Sequence, residues 1–153
     1  MDWIPLIRVS ERSWVGTLGE AIWVGNELEA EREVHLDRPV FLLPLLERGR
    51  EQVLHDIQRK EEELSLPDEY LNDHMQVDYI AVFSCTTMTS DYWASLGIAW
   101  MCAKGFLMDE EVQALQEVSV ASWASQKLRH MSGKLIHQLH PRCAHCGRRY
   151  MMS

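Results

Sequence analysis

The sequence predicts an all-α protein, built as a compact bundle or a stack of short antiparallel helical hairpins. Two observations carry this prediction: apolar residues recur at helical spacing along most of the chain, and helix start and stop residues flank those stretches. A third is the brevity of the connections, which is typical of antiparallel helical neighbours. The 153 residues fit one acidic helical domain over residues 1–140 and a short basic tail over residues 141–153.

The beginning of the chain, residues 1–45, is the hardest part to assign. Residues 13–33 contain three glycines, which weaken a helix, but their apolar residues repeat at helical spacing at Trp14, Leu18, Ala21 and Ile22. Residues 37–49 contain two prolines and are best interpreted as a short buried helix that begins after Pro39. We therefore assign both stretches to helices.

Residues 47–65 predict a strongly amphipathic helix. Its apolar side consists of Val53, Leu54, Ile57 and Leu64. The polar side ends in an acidic run that we expect to form a charged face, Glu61, Glu62 and Glu63. Pro67 suits the first turn of the next helix, because its fixed φ and missing N–H are tolerated there.

Residues 75–105 predict two helices. The apolar stretch at residues 75–85 fits either a buried helix or a strand, and its helical neighbours favour the helix. In the second helix, Ser90 is a favourable N-cap, and Gly105 is placed to end the helix in a left-handed conformation. The apolar stripe of this second helix consists of Tyr92, Leu96, Ala99 and Ala103.

Two further helices complete the predicted domain. Asp109 can cap the first, which we expect to end near residue 120, where β-branched residues and serines accumulate. The second covers residues 123–140, ends before Pro141 and repeats Leu128, Met131, Leu135 and Leu139. The core is expected to include Leu96, Trp100, Leu128, Met131 and Leu135.

The composition is typical of a soluble cytoplasmic protein. Apolar residues make up 46% of the chain, which argues against disorder throughout. No signal peptide is expected, because the amino terminus lacks a basic segment followed by a long apolar stretch. No apolar run approaches the roughly 20 residues of a membrane helix. The four cysteines are expected to be free or metal-bound rather than paired in disulfides.

Charge is divided unevenly along the sequence. All 23 acidic residues lie within residues 1–122, where nine Lys and Arg leave a net charge of −14. Residues 123–153 carry six Lys and Arg and no acid, which gives +6. Such asymmetry is typical of a basic arm that contacts nucleic acid, or of a basic helix that docks on the chain's own acidic surface. Both alternatives stay open.

Catalytic motifs are scarce in this sequence. It has no phosphate-binding glycine loop, no nucleophile elbow and no HExxH motif. His55 stands beside Asp56, and His74 lies four residues before Asp78, so only the second pair could share a helix face. Ordinary solvated side chains explain these neighbours better than a catalytic site does. We therefore expect a protein that is not an enzyme.

The strongest chemical motif is HQLHPRCAHCGRR, at residues 137–149. Cys143 and Cys146 form a CxxC pair followed by glycine, which resembles a zinc knuckle because two thiolates at this spacing can bind one tetrahedral ion. A structural zinc needs four ligands, and His137 and His140 could supply the other two. The alternatives are a redox pair, for which the strand–helix context is missing, and a terminus without metal.

Two functions of different classes fit these features. The first is a small acidic binding protein that neutralises or sequesters a basic protein partner, a profile shared by bacterial immunity proteins and antitoxins. Its partner-binding residues are expected to be Glu27, Glu29, Glu31, Glu33, Glu61, Glu62 and Glu63. The alternative is a nucleic-acid-associated protein that contacts phosphates through the basic final helix and a zinc-knuckle tail. No membrane partner and no cofactor besides zinc are expected.

Overall fold

A four-stranded antiparallel sheet begins the chain, so the prediction of an all-α protein is wrong. The computed structural model describes residues 2–139 and, beyond them, the backbone of Arg142–Cys143 and Arg148–Arg149. Each strand of the sheet pairs with the next in the chain, in the order β1 (Trp3–Arg8), β2 (Trp14–Leu18), β3 (Ala21–Gly25) and β4 (Ala30–Glu33). Helices follow the sheet, and the protein belongs to the mixed α/β class.

The glycines that weaken a helix at residues 13–33 belong to a β-hairpin. Gly19 has a φ of 66° at the first position of the two-residue turn between β2 and β3, where a positive φ matches the twist of the strands. Val15, Ile22 and Val24 are buried, and such β-branched residues pack well on a pleated sheet. The apparent helical repeat comes from apolar residues on two neighbouring strands.

One 3-10 helix and three α-helices follow the sheet. They are a 3-10 helix at Val40–Leu42 and the α-helices α1 (Leu45–Arg48), α2 (Arg50–Glu63) and α3 (Tyr70–Met75). The amphipathic helix predicted at residues 47–65 is confirmed as α2. The short buried helix predicted after Pro39 is confirmed only in part, because the segment is a 3-10 helix in which Val40 and Phe41 are exposed and only Leu42 is buried. Helix α2 packs against β1 and buries Val53 and Ile57, whereas Leu64 lies beyond its end and is exposed.

The chain divides into two compact units, Met1–Ile80 and Ala81–Ser153. The first unit contains the sheet, the 3-10 helix, α1 to α3 and the beginning of α4 (Val77–Thr86). The second contains the rest of α4, followed by α5 (Asp91–Lys104), α6 (Asp109–Ser119) and α7 (Gln126–Leu139). The four helices predicted for this half of the chain are confirmed.

The predicted caps of α5 are present. The Ser90 hydroxyl oxygen accepts a hydrogen bond from the Trp93 amide at 3.2 Å, and Gly105 ends the helix in the left-handed region with a φ of 86°. Between its ends, α5 crosses α4 at Gly97, where an added Cβ would lie 2.1 Å from the Ser84 hydroxyl oxygen. Glycine therefore allows this close crossing, which fixes the inner side of α5.

The apolar stripe predicted for α5 lies on the outer side of the helix. Tyr92 is 54% exposed, and Ala99 and Ala103 are also exposed. The opposite side is buried through Ala94, Gly97, Ile98, Trp100 and Met101. Both sides of α5 are apolar, and periodicity alone does not distinguish the buried side of such a helix.

The core predicted for this unit is confirmed in part. Trp100, Leu128 and Leu135 are buried. Leu96, in contrast, is half-buried, and Met131 is 38% exposed. Both exceptions lie on helix surfaces that the second unit leaves open to solvent.

Candidate functional site

Three tryptophans share one face of the sheet. Directly opposed residues of paired strands point to the same face, and the pairs that define this face are Arg8–Trp14, Trp3–Leu18 and Gly16–Trp23. The opposite face is buried through Ile7, Val15 and Val24. Trp3, Trp14 and Trp23 are only half-buried, and we call this surface the tryptophan face.

The turn between β3 and β4 is held in place by Asn26. Its side-chain oxygen accepts hydrogen bonds from the amides of Leu28 at 2.7 Å and Glu29 at 2.9 Å. The backbone N–H of Asn26 donates to the Glu29 carbonyl at 3.0 Å, and the backbone carbonyl of Asn26 accepts from the Trp3 indole N–H at 2.8 Å. These bonds fix a turn whose tip carries Leu28, which is 91% exposed.

Four glutamates of the predicted partner-binding set extend from this turn along β4, which is an edge strand. We call them the acidic edge; they are Glu27, Glu29, Glu31 and Glu33, and all are exposed. Glu33 is paired with Trp23, so these two side chains lie on the same face of the sheet. Glu27 forms an ion pair with Arg8 at 3.7 Å. Among residues 2–139, the other three glutamates have no ion-pair partner.

A groove of about 520 Å³ lies at the end of the sheet, where Trp14 and Leu28 form its apolar walls. The Arg8 guanidinium carbon is 5.0 Å from the centre of the Trp14 ring, a distance that allows a cation–π interaction. Arg8 also donates to the Glu11 carbonyl at 2.6 Å. The groove is therefore a preformed feature, bordered by the tip of the acidic edge at Glu27.

The second acidic run of the predicted set, on α2, does not form one continuous charged face. Glu61 is buried, with 4% exposure, and its carboxylate accepts a hydrogen bond from the Leu71 amide at 2.7 Å. Glu62 and Glu63 are exposed, and Glu63 forms an ion pair with Lys60 at 3.1 Å. Glu61 thus connects α2 to the start of α3, while its two neighbours face solvent.

The acid–histidine neighbours are engaged in other contacts. The Asp78 carboxylate accepts hydrogen bonds from Arg50 at 2.9 and 3.3 Å. Nδ1 of His74 lies 2.8 Å from the Tyr70 carbonyl oxygen, and its ring stacks on that of Tyr70 at 4.2 Å. These contacts orient the two side chains separately rather than as a pair.

The cysteine within α4 lacks the environment of a reactive thiol. Burial raises the pKa of the Cys85 thiol to about 12, so the thiol stays protonated at neutral pH and is a poor nucleophile. Among residues 2–139, no group of three or more His, Cys, Asp or Glu side chains is arranged to hold a metal ion. Within the same residues, no helix has the length and apolar character needed to cross a membrane.

The predicted zinc site falls mostly outside the described residues. His137 is exposed near the end of α7. The backbone of Arg142–Cys143 pairs with that of Arg148–Arg149 in an antiparallel ladder. His140, Cys146 and the side chain of Cys143 lie outside the described part of the chain, so zinc binding stays a prediction.

The residues that shape the acidic edge were missed in the sequence. Asn26 and Leu28 lie in the segment GNELE, where a glycine and an asparagine signal a turn. A turn here would have divided residues 13–33 into strands and placed the glutamates on an edge. The tryptophan face depends on strand register, which follows only once the turns are assigned.

The chain matches no known protein-family model, and no curated protein or solved structure shows significant similarity to it.

Proposed function

We propose that the protein binds a basic protein partner through the tryptophan face and the acidic edge, and neutralises or sequesters it. The observation that carries this proposal is the hydrogen-bonded turn at Asn26, which presents exposed glutamates and Leu28 beside half-buried indoles. Tryptophan is enriched among the residues that dominate binding energy at protein interfaces. A partner's Arg or Lys could contact both an indole ring and a carboxylate here.

Charge and apolar contact have separate roles in this proposal. The acidic edge attracts the partner over a distance and raises the association rate. Leu28 and the indoles then lose solvent contact in the complex and slow its dissociation. Immunity proteins and antitoxins work in this way on basic toxins, and this physical analogy is the basis for naming that class of partner.

Glu62 and Glu63 form a second acidic surface that we keep in the proposal as an additional source of attraction. They are exposed at the end of α2. Glu61 is left out because its carboxylate is buried and hydrogen-bonded within the protein. Reversing Glu61 would therefore disturb folding as well as charge.

Nucleic-acid binding is the second candidate, favoured by the outer side of α7. This helix contains no acidic residue, and its exposed side chains include Lys127, His130, Lys134 and His137. Such a row can contact phosphates. The first candidate is preferred because the chain carries a net charge of −8, which repels a polyanion.

The test begins with the partner captured from the native host, purified, and measured for association and dissociation rates. Glu31→Lys combined with Glu33→Lys should lower the association rate about tenfold at low salt, with little change in dissociation. Leu28→Ser should raise the dissociation rate instead, since the side chain is 91% exposed and its loss leaves the fold intact.

The matched control is Glu110→Lys combined with Glu117→Lys, an equal charge reversal on exposed positions of α6. It should change the association rate much less than the reversal on the acidic edge. Equal effects of the two reversals would contradict the proposed surface. A captured RNA or DNA, released by reversing the basic residues of α7, would replace the proposal with the second candidate.

A further inference from the structure

A cavity of about 300 Å³ lies beside α2, within the first unit. Residues from Arg50 to Glu61 line it from one side of α2, and Asp68, Glu69 and Asn72 line it from the start of α3. We call it the α2 cavity. Small-molecule sites in proteins begin at about 300 Å³, and one water molecule takes up only about 30 Å³ of liquid. The α2 cavity therefore has room for an organic group.

Glu61 brings a buried carboxylate to the α2 cavity. The residue is 4% exposed, and its Oε2 accepts a hydrogen bond from the Leu71 amide at 2.7 Å. Among residues 2–139, no donor reaches the other oxygen, Oε1, and Glu61 forms no ion pair. Buried polar atoms are nearly always hydrogen-bonded, so an oxygen of this kind beside a cavity is suited to a ligand that donates hydrogen bonds.

The charges around the α2 cavity favour a cation. Asp68 and Glu69 add two exposed carboxylates to its lining. Arg50 lines it as well, but the Arg50 guanidinium donates to the Asp78 carboxylate at 2.9 and 3.3 Å, which balances its charge. The lining therefore keeps an excess of negative charge, and such a cavity attracts positively charged ligands.

The donors and walls of the site distinguish between kinds of cation. A guanidinium group prefers to donate to both oxygens of one carboxylate, and Oε2 of Glu61 is already engaged by Leu71. Within residues 2–139, no group of three or more His, Cys, Asp or Glu side chains is arranged to hold a metal ion. Leu54 and Ile57 form an apolar wall, which suits an alkyl chain beside a cationic head. A primary ammonium group on an alkyl chain meets these conditions.

We propose that the α2 cavity binds small primary alkylamines in their ammonium form. The ammonium group donates to Oε1 of Glu61, and the alkyl chain lies along Leu54 and Ile57. The exposed Asp68 and Glu69 attract the cation. A compound of this size should bind with a dissociation constant in the millimolar range. The proposal does not depend on the proposed function, because the α2 cavity is lined by different residues from the groove at the end of the sheet.

The probe for this site is n-pentylamine, titrated into full-length protein at neutral pH while amide NMR spectra report where it binds. The Leu71 amide signal should shift in a saturable way, because this amide shares the Glu61 carboxylate with the ligand. The analogue N,N,N-trimethylpentylammonium carries the same charge without an N–H donor and should bind at least about tenfold more weakly. Equal binding of the two compounds, or a Leu71 amide signal that does not move, would overturn the proposal.

Glu61→Gln separates the two hydrogen bonds of the carboxylate. The glutamine oxygen can still accept from the Leu71 amide, whereas an NH₂ group replaces Oε1 and offers no acceptor to an ammonium. This variant should bind n-pentylamine at least about tenfold more weakly. The matched control is Glu62→Gln, the same change at an exposed neighbour, which should bind n-pentylamine as the wild type does. Equal losses in the two variants would leave only general charge attraction and overturn the proposal.

A second variant makes the test independent of the part that Glu61 has in folding. Leu54→Phe adds volume at the apolar wall of the α2 cavity, where Leu54 is half-buried, and leaves the contact between Glu61 and Leu71 in place. It should weaken the binding of n-pentylamine while its circular dichroism spectrum matches that of the wild type. Undiminished binding by a folded Leu54→Phe variant would place the amine outside the α2 cavity and overturn the proposal.

Discussion

The acidic edge and the outer side of α5 are two exposed surfaces with opposite physical character. The acidic edge presents four exposed glutamates around a polar turn and a single exposed leucine. The outer side of α5 is mostly apolar, apart from Ser95 and the exposed Asp91 at the start of the helix. Attraction by the first surface should weaken as salt screens the glutamates, whereas apolar contact at the second would depend much less on salt.

The two surfaces also rest on different kinds of support. The turn of the acidic edge is held by hydrogen bonds to one asparagine, Asn26. Helix α5 is held by apolar packing on its inner side, where Gly97 allows α4 to approach closely. Substitutions at Gly97 and Asn26 should therefore lower the free energy of unfolding by different amounts, since core overpacking costs more than the loss of a turn hydrogen bond.

The largest loss of stability is expected from a substitution at Gly97, where α5 packs against α4. Gly97→Ala places a methyl group 2.1 Å from the Ser84 hydroxyl oxygen and 2.9 Å from the Ala81 carbonyl oxygen. It should lower the free energy of unfolding by about 1–3 kcal/mol, as overpacked core positions do. Urea unfolding followed by circular dichroism measures the change.

The control for this prediction is Gly133→Ala on α7, where an added Cβ meets no atom within 4 Å. Alanine is the better helix former, so this variant should be more stable by about 0.5–1 kcal/mol. If Gly97→Ala lowers the free energy of unfolding and Gly133→Ala raises it, the result would support the close crossing of α4 and α5. A stabilised Gly97→Ala variant would show that α4 and α5 are not in close contact there.

A smaller loss of stability is expected from a substitution at Asn26, which holds the turn of the acidic edge. Asn26→Ala removes the acceptor for the amides of Leu28 and Glu29 and should cost about 1–2 kcal/mol of stability. Hydrogen exchange of those two amides should become much faster. Leu28→Ser is the matched control, because it alters the tip and leaves Asn26 in place. Unchanged exchange in Asn26→Ala would mean that the turn does not depend on this side chain.

The smallest effect on overall stability is expected at the tail. We propose that Cys143, Cys146, His137 and His140 bind one zinc ion, which native mass spectrometry of carefully purified protein would detect. Changing both cysteines to serine should release the metal. The midpoint of global unfolding should stay the same, since the helices have their own core. Metal-free protein whose two cysteines react freely with an alkylating agent would exclude the site.

The helices from α2 onward could be predicted because their local signals agree with one another. Ser90 and Gly105 cap α5 as predicted, and α7 repeats buried leucines at Leu128 and Leu135. The sheet could not be predicted from the same approach, because Trp14, Leu18, Ala21 and Ile22 fit helical spacing as well as two strands. The turn at Gly19 decides between these interpretations, because its positive φ fits a hairpin turn and not the interior of a helix.

The candidate surface was predictable in its charge and not in its geometry. The glutamates at positions 27, 29, 31 and 33 are exposed, but their place on an edge strand follows from strand pairing. Glu61 lies in a run of three glutamates and is nevertheless buried, because its carboxylate satisfies the Leu71 amide. The Leu71 amide lies ten residues further along the chain, beyond the end of α2, so the glutamate run itself contains no signal of this contact.

The central claim, that the acidic edge attracts a basic protein, is tested most directly by the salt dependence of the association rate with that partner. The Debye length falls from about 30 Å at 0.01 M to about 8 Å at 0.15 M salt. The wild-type rate should therefore fall steeply over this range, and the rate of the variant with Glu31→Lys and Glu33→Lys should start lower and change little. Equal slopes for the two proteins would contradict the claim and leave the acidic edge without a role in binding.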